Sequence, residues 1–186
     1  MEYVKCKACG YIMEARKVGD KCPACGVPAK QFEPYIEKVS EKRLRILKMH
    51  IHPVIVHMPQ AFAAFLTVLA VLLLLTGAGT IHDALYDTAL VLAACLPLAV
   101  AVAFAAGILD GKIRFRKLTT PLLLRKMIAG AAFFVFSAAA AGLAFAAGLN
   151  GTAPLSGFLV LEAASLGAGA LLGIWGTGLM TAAFPG

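Results

Sequence analysis

Four long apolar runs occupy the chain from Pro53 onward, spanning roughly 53–76, 86–109, 124–149 and 155–180. Each exceeds the ~20 residues that cross about 30 Å of hydrocarbon at ~1.5 Å per residue. Their side chains do not alternate, which argues against a β-barrel, and an open sheet in lipid leaves backbone groups unpaired. Membrane helices remain. Composition agrees: the chain is 60% hydrophobic and 15% charged, with mean hydropathy +0.83. An ordinary soluble domain is about 45–50% apolar and about 25% charged. A disordered chain, a secreted disulfide scaffold and a purely soluble protein are set aside. Breaks are expected at Gly77-Ala78-Gly79-Thr80, Asp110-Gly111 and Asn150-Gly151. Pro53 suits a first helical turn, and Pro97 predicts a kink or local adjustment in the second span.

Charge fixes the expected topology. Residues 1–52 hold 11 Lys/Arg and 6 Asp/Glu, whereas residues 53–186 hold 6 and 4. The later six are Lys112, Arg114, Arg116, Lys117, Arg125 and Lys126, between spans two and three or at the start of three. Loops 77–85 and 150–154 carry none. Four crossings put both basic regions on one side, so the positive-inside rule places both termini in the cytoplasm of a multi-pass inner-membrane protein. Topology explains the basic balance, and nucleic acid is not needed as a partner. Residues 1–20 lack the apolar core of a signal peptide.

The expected domains are 1–34, a basic linker 35–52 and a transmembrane part 53–186. In the linker, Leu44, Leu47 and Ile51 fall at helical spacing among Lys42, Arg43, Arg45 and Lys48. It reads either as an amphipathic helix on anionic headgroups of membrane lipid or as a solvated extension of span one.

Cys6-x-x-Cys9 and Cys22-x-x-Cys25 are two pairs separated by twelve residues. In a reducing compartment this spacing reads as a metal site, and four thiolates form a tetrahedral cage for zinc or a single iron. A segment of about 34 residues cannot bury enough apolar surface to fold unaided, and below ~40 residues a metal or disulfide is usually needed. Cys9-Gly10 and Cys25-Gly26 let the backbone turn around the ion and aim N–H groups at sulfur. Zinc knuckles share that geometry, so these residues alone leave iron and zinc open.

Tyr3-Val4-x-Cys6-x-x-Cys9-Gly10-Tyr11-Ile12, Gly19-Asp20-x-Cys22-Pro23-x-Cys25-Gly26-Val27-Pro28 and Phe32 together resemble a rubredoxin. The short gap between the pairs is closer to the module of rubrerythrins than to free-standing rubredoxins. The resemblance implies a small β domain holding one iron on Cys6, Cys9, Cys22 and Cys25 and shuttling one electron. Free-standing rubredoxins usually carry a Trp in this segment; here the one Trp is Trp175.

His52-Pro53-x-x-Val56-His57-x-Pro59 resembles the opening of an uncharacterised family of small four-helix membrane proteins, with a suspected relation to b-type cytochromes. Members often carry a further His at the start of the third helix, where this chain reads Arg125-Lys126-Met127-Ile128. Independently, imidazole is a common haem ligand. His57 is expected ~7 Å inside the cytoplasmic boundary, and His82 about 35 Å away by helix rise, too far to share a haem in one chain. His52, His50, Met127 and Met180 are candidate partners for His57, as is a second copy in a homodimer. The plainer alternative has His57 bonding a carbonyl freed by Pro59. Glu162, placed about 7 residues below the outer boundary by the span estimate, could join His82, Asp83 and Asp87 in an outer proton or quinone site, or lie neutral or water-solvated near that surface. Gly107-x-x-x-Gly111 and Gly169-x-x-x-Gly173 permit close helix contact, and Cys95 reads as a small buried apolar residue.

The expected fold is therefore a small metal-bound β domain followed by an all-α four-helix transmembrane bundle. The preferred function is an electron relay, an oxidoreductase if an enzyme at all. It would link a cytoplasmic redox protein, an iron–thiolate centre and a membrane haem b or quinone. The alternative is a zinc-ribbon membrane protein whose metal domain binds a partner and whose helices serve as scaffold or transporter.

Overall fold

The computed structural model of the chain describes residues 2–36 and 39–180. It divides into two compact units, the first ending at Leu44 and the second beginning at Arg45. The first contains a three-stranded antiparallel sheet of β1 (Tyr3–Cys6), β2 (Ile12–Glu14) and β3 (Phe32–Tyr35), in the order β2-β1-β3. Tyr3 pairs with Glu14 on one side and Tyr35 on the other; Cys6 pairs with Phe32. Between β2 and β3 the chain makes two short 3-10 turns and a bridge from Lys21 to Pro28. Within residues 2–36, the buried residues are Cys6 and Cys22 alone.

Helix α1 (Glu41–Lys48) buries Leu44 and Leu47. Ile51 does not continue that face: His50 sits in the left-handed region at φ 49°, ψ 37°, which ends α1 and leaves Ile51 48% exposed. The chain then enters α2 (Ile51–Ile55) and α3 (His57–Leu75). The step between them has a local cause. Pro59 has no N–H for the Ile55 carbonyl, and its ring crowds that group.

α3, α4 (Thr80–Phe115), α5 (Pro121–Ala147) and α6 (Thr152–Met180) form an all-α bundle. Each packs on the next, and α6 closes on α3. Their buried positions advance in alternating steps of three and four: Ala63, Leu66, Ala70, Leu73 on α3, and Ala89, Ala93, Leu96, Val100, Ala103 on α4. On α5 the seam is Phe133, Ser137, Ala140, Ala144, and on α6 Leu155, Phe158, Glu162, Ser165. A repeat of about 3.5 residues is that of helices crossing near 20° with knobs in holes. Alanine at so many seam positions lets backbones approach, as membrane helices require when no water drives them together. The exterior is inverted relative to a soluble bundle: Phe65, Leu75, Val91, Leu98, Val135 and Ile174 are all exposed. Among the described residues, four helices are long and apolar enough to cross a membrane.

Two expected features differ. α4 does not stop at Asp110-Gly111 but runs to Phe115, and Arg116 at φ 60° ends it with its N–H on the Lys112 carbonyl. A single helical Gly costs only about 1 kcal/mol, and Gly111 is buried where Leu118 and Leu123 pack over it. Cys95 is not buried; it is on the apolar exterior of α4. α4 continues through Pro97 as one helix.

Candidate functional site

Two local loops build the cysteine site, and they repeat each other. Gly10 N–H bonds the Cys6 carbonyl and Cys6 N–H the Tyr11 carbonyl; Gly26 N–H bonds the Cys22 carbonyl and Cys22 N–H the Val27 carbonyl, all at 2.8 Å. Both glycines adopt φ +76°, a left-handed value that only glycine takes without cost. The glycine after each second cysteine thus closes a turn that aims both sulfurs inward. β1 carries Cys6, and the loop anchored by the Ala29 N–H bond to the Asp20 carbonyl presents Cys22 and Cys25.

All four Sγ atoms lie within 4.8 Å of one another. Cys6 to Cys25 and Cys9 to Cys22 are each 3.8 Å. Four sulfurs ~2.3 Å from one ion stand about 3.8 Å apart along the edges of a tetrahedron. The donor set therefore fits one tetrahedral S₄ ion, iron or zinc. Cys6 and Cys22 are buried while Cys9 and Cys25 are exposed, so one side of the centre faces solvent.

The thiols do not ionise alike. Burial opposes ionisation of Cys22, but the N–H groups of Cys25 and Ala24 and the Cys25 and Cys9 thiols outweigh it and bring Cys22 down to about 7. Val27 N–H acts the same way on Cys25, yet the Cys9, Cys22 and Cys6 thiols and burial prevail and push it up to about 12. Full ionisation of such a cluster is linked to binding a cation, with release of protons. The same N–H donors stabilise thiolate ligands and, for iron, raise the reduction potential.

The bundle contains a second candidate region. A cavity of about 320 Å³ is lined by residues of α2 through α6, and His52, His57 and Met127 all line it. The three residues expected as cofactor ligands thus share one space. They differ within it: His57 is exposed, Met127 is half-buried, and His52 has a buried Nδ1 without a hydrogen-bond partner among the described residues. Met180 ends α6, and its side chain lies outside the described residues; His50 is exposed.

Among the described residues no hydrogen bond joins His82 to Glu162, the pair expected at an outer site. His82 bonds Thr76 Oγ1 at 3.3 Å and Asn150 Oδ1 at 3.4 Å, linking the α3–α4 and α5–α6 connections. Glu162 is 0% exposed, and neither oxygen has a partner among the described residues. It is ten residues into α6, ~15 Å along the axis, and it lies buried on the bundle seam rather than at the end of the helix. The seam period carried that signal: Leu155, Phe158, Glu162 and Ser165 follow the three-four step.

Sequence reasoning missed Gln60, Asp110 and Arg114 as members of the cavity. Arg114 Nε donates to Asp110 Oδ2 at 3.2 Å, and the Arg114 side chain is only 8% exposed. The i, i+4 spacing of opposite charges was the available signal, hidden by reading Asp110-Gly111 as a break. The four spaced glycines receive side chains, not backbones. A Cβ on Gly107 would stand 2.9 Å from the His52 ring, and Gly169 and Gly173 lie beside Gln60.

Comparison with curated proteins and with solved structures returns no match. Residues 5–33 do match a family model, that of the rubrerythrin rubredoxin-like domain, so the chain has an N-terminal rubredoxin-like domain with the four cysteines inside the match.

Proposed function

We propose that the protein is a membrane-bound electron-transfer protein. The observation that carries the reading is the tetrahedral spacing of Cys6, Cys9, Cys22 and Cys25 inside a rubredoxin-like domain. One iron on four thiolates takes up and returns a single electron. The protein's part is to hold four sulfurs in a fixed cage, stabilise them with backbone N–H groups, and leave Cys9 and Cys25 open toward a redox partner. The four apolar helices keep that centre at a membrane. The basic residues of 1–52 and 112–126 support cytoplasmic placement of both termini in the inner membrane, and hence a cytoplasmic redox protein as partner. The membrane cofactor is a haem b or a quinone at the cavity lined by His52, His57 and Met127, in a monomer or a homodimer.

Metal analysis with a redox-difference spectrum of detergent-purified protein is the test. One iron per chain with a reversible iron–thiolate spectrum supports the relay. Colourless protein holding one zinc overturns it and leaves a zinc ribbon on a membrane scaffold. A reduced cytochrome b band that His57→Ala removes and His82→Ala retains would identify haem as the membrane cofactor.

A further inference from the structure

We infer that the cavity lined by α2 through α6 binds the headgroup of a membrane quinone, between His52 on α2 and Lys126 on α5. The redox role of that ring rests on the electron-relay reading; its binding does not.

The chemistry of the lining selects the ligand. The walls are mainly apolar, with Phe104, Phe133, Leu123 and Leu172 among them. The polar groups are few and unequal in what they offer. Asp110, the acid in the lining, is engaged by Arg114 at 3.2 Å. His52 and Lys126, on different helices, supply donors, and His52 Nδ1 is buried without a partner among the described residues. A buried polar nitrogen left unpaired costs about 1–3 kcal/mol, so a ligand that pairs with it is favoured. The space therefore suits a molecule that is apolar over most of its surface and bears hydrogen-bond acceptors at separated positions. A quinone ring with two carbonyls has that pattern, and aromatic walls suit its faces.

Size and access agree. About 320 Å³ is at the small end of ligand pockets, which run from roughly 300 to 1,000 Å³. That accommodates a one- or two-ring headgroup more readily than a porphyrin. The lining includes His57 and Thr177, which are exposed on the bundle, so an isoprenoid tail has a way out to lipid. Two glycines bring donors close: Gly107 accepts the His52 ring against α4, and Lys126 Nζ reaches to 3.5 Å of where a Gly176 Cβ would stand.

Trp175 supplies the readout. It is the single tryptophan of the chain, and it sits on α6 between the cavity residues Gly173 and Gly176. The full chain in mild detergent is titrated with a decyl-tailed benzoquinone while Trp175 fluorescence is followed. Saturable quenching is expected, with a midpoint about tenfold higher in Lys126→Met and in His52→Leu. Lys126→Arg should restore much of the wild-type midpoint, and Cys95→Ala should leave it unchanged. Helical circular dichroism of each variant verifies that the bundle is intact. Quenching that rises linearly and equally in wild type and Lys126→Met reflects partition into the micelle and overturns the site. A haem spectrum in the purified protein that His52→Leu abolishes also overturns it, because the cavity is then a haem site. The two readings fail separately. Iron with linear quenching removes the quinone site and keeps the relay; zinc with saturable, Lys126-dependent quenching removes the relay and keeps the site.

Discussion

Residues 2–36 bury only Cys6 and Cys22, whereas the bundle buries a continuous apolar seam that includes Leu66, Leu96, Phe133 and Phe158. The first region has β ladders and turns but no hydrophobic interior; its centre is the sulfur cage. The second has an alanine-rich interior and an exterior that is as apolar as its core. Water exclusion near 25 cal/mol per Å² does little for the first. In the second, close packing and satisfied helical backbone do the work within lipid. A change that empties the cage should therefore act on one region only, and a change of one methyl group in the seam should act on the other.

The largest expected effect follows directly. Structural metal sites bind with apparent free energies of about 10–16 kcal/mol, which become folding free energy where no other core exists. Cys22→Ser should release the metal and unfold residues 2–36 while the four helices stay inserted. Metal content and protease sensitivity of the N-terminal segment would register this, with helical circular dichroism as the control. Retained metal and an unchanged proteolysis pattern would mean that the segment has a core beyond the cysteines.

Next in size is a test of the seam. Gly130 is buried on α5, and an added Cβ there would stand 2.7 Å from the Phe104 ring. Gly130→Ala forces that ring to move and should destabilise the bundle by about 1–3 kcal/mol. Gly142, on the same helix, has nothing within 4 Å of an added Cβ. Gly142→Ala should be neutral or stabilising by up to about 1 kcal/mol through helix propensity. The sign difference between these two substitutions, read by thermal denaturation in detergent, measures how tightly α4 and α5 pack. Equal effects would show a loose seam.

An effect of comparable size and opposite sign is expected inside the seam. Glu162 is fully buried, and neither of its oxygens has a partner among the described residues. Replacing an unpaired buried polar group by an apolar one of similar size removes a penalty of about 1–3 kcal/mol. Glu162→Leu should therefore raise the thermal midpoint. A fall would mean that the carboxyl group has a bound partner in the membrane.

How much was legible in the chain follows the same division. The cysteine site was readable because its geometry is local: spacing, the two following glycines and Pro23 set the turns without help from elsewhere. The four helices were readable because length and hydropathy suffice in lipid. What escaped was whatever depends on which helix faces which. Asp110-Gly111 looked like a break because a helical glycine flanked by charge resembles a turn, while burial under Leu118 and Leu123 keeps it helical. Cys95 looked buried because small apolar residues usually are, yet the lipid-facing surface of a bundle is apolar too. Glu162 was placed by counting from a loop, and only the three-four spacing of its neighbours puts it in the interior. Gln60 on α3 reaches the cavity through a pairing between helices that no local pattern encodes, its Nε2 donating to the Gly169 carbonyl on α6 at 3.2 Å.

The smallest predicted effect tests the internal symmetry of the cage. Gly10 and Gly26 share φ +76° and the same hydrogen bond to the cysteine four residues earlier. An added Cβ at Gly26 meets nothing within 4 Å, and at Gly10 it meets Lys5 Cε at an ordinary 3.8 Å. Packing therefore gives no reason for glycine at either position, and the backbone conformation gives the whole reason. A left-handed non-glycine residue costs about 1–2 kcal/mol. Gly10→Ala and Gly26→Ala should each weaken the domain by that amount, and by nearly the same amount as each other. Gly19→Ala has equal space and no left-handed backbone, so it should cost less than either. Competition with a chelator, followed by metal release, resolves differences of this size. Unequal losses at Gly10 and Gly26 would show that the two cysteine loops, alike in geometry, carry different strain once the ion is held.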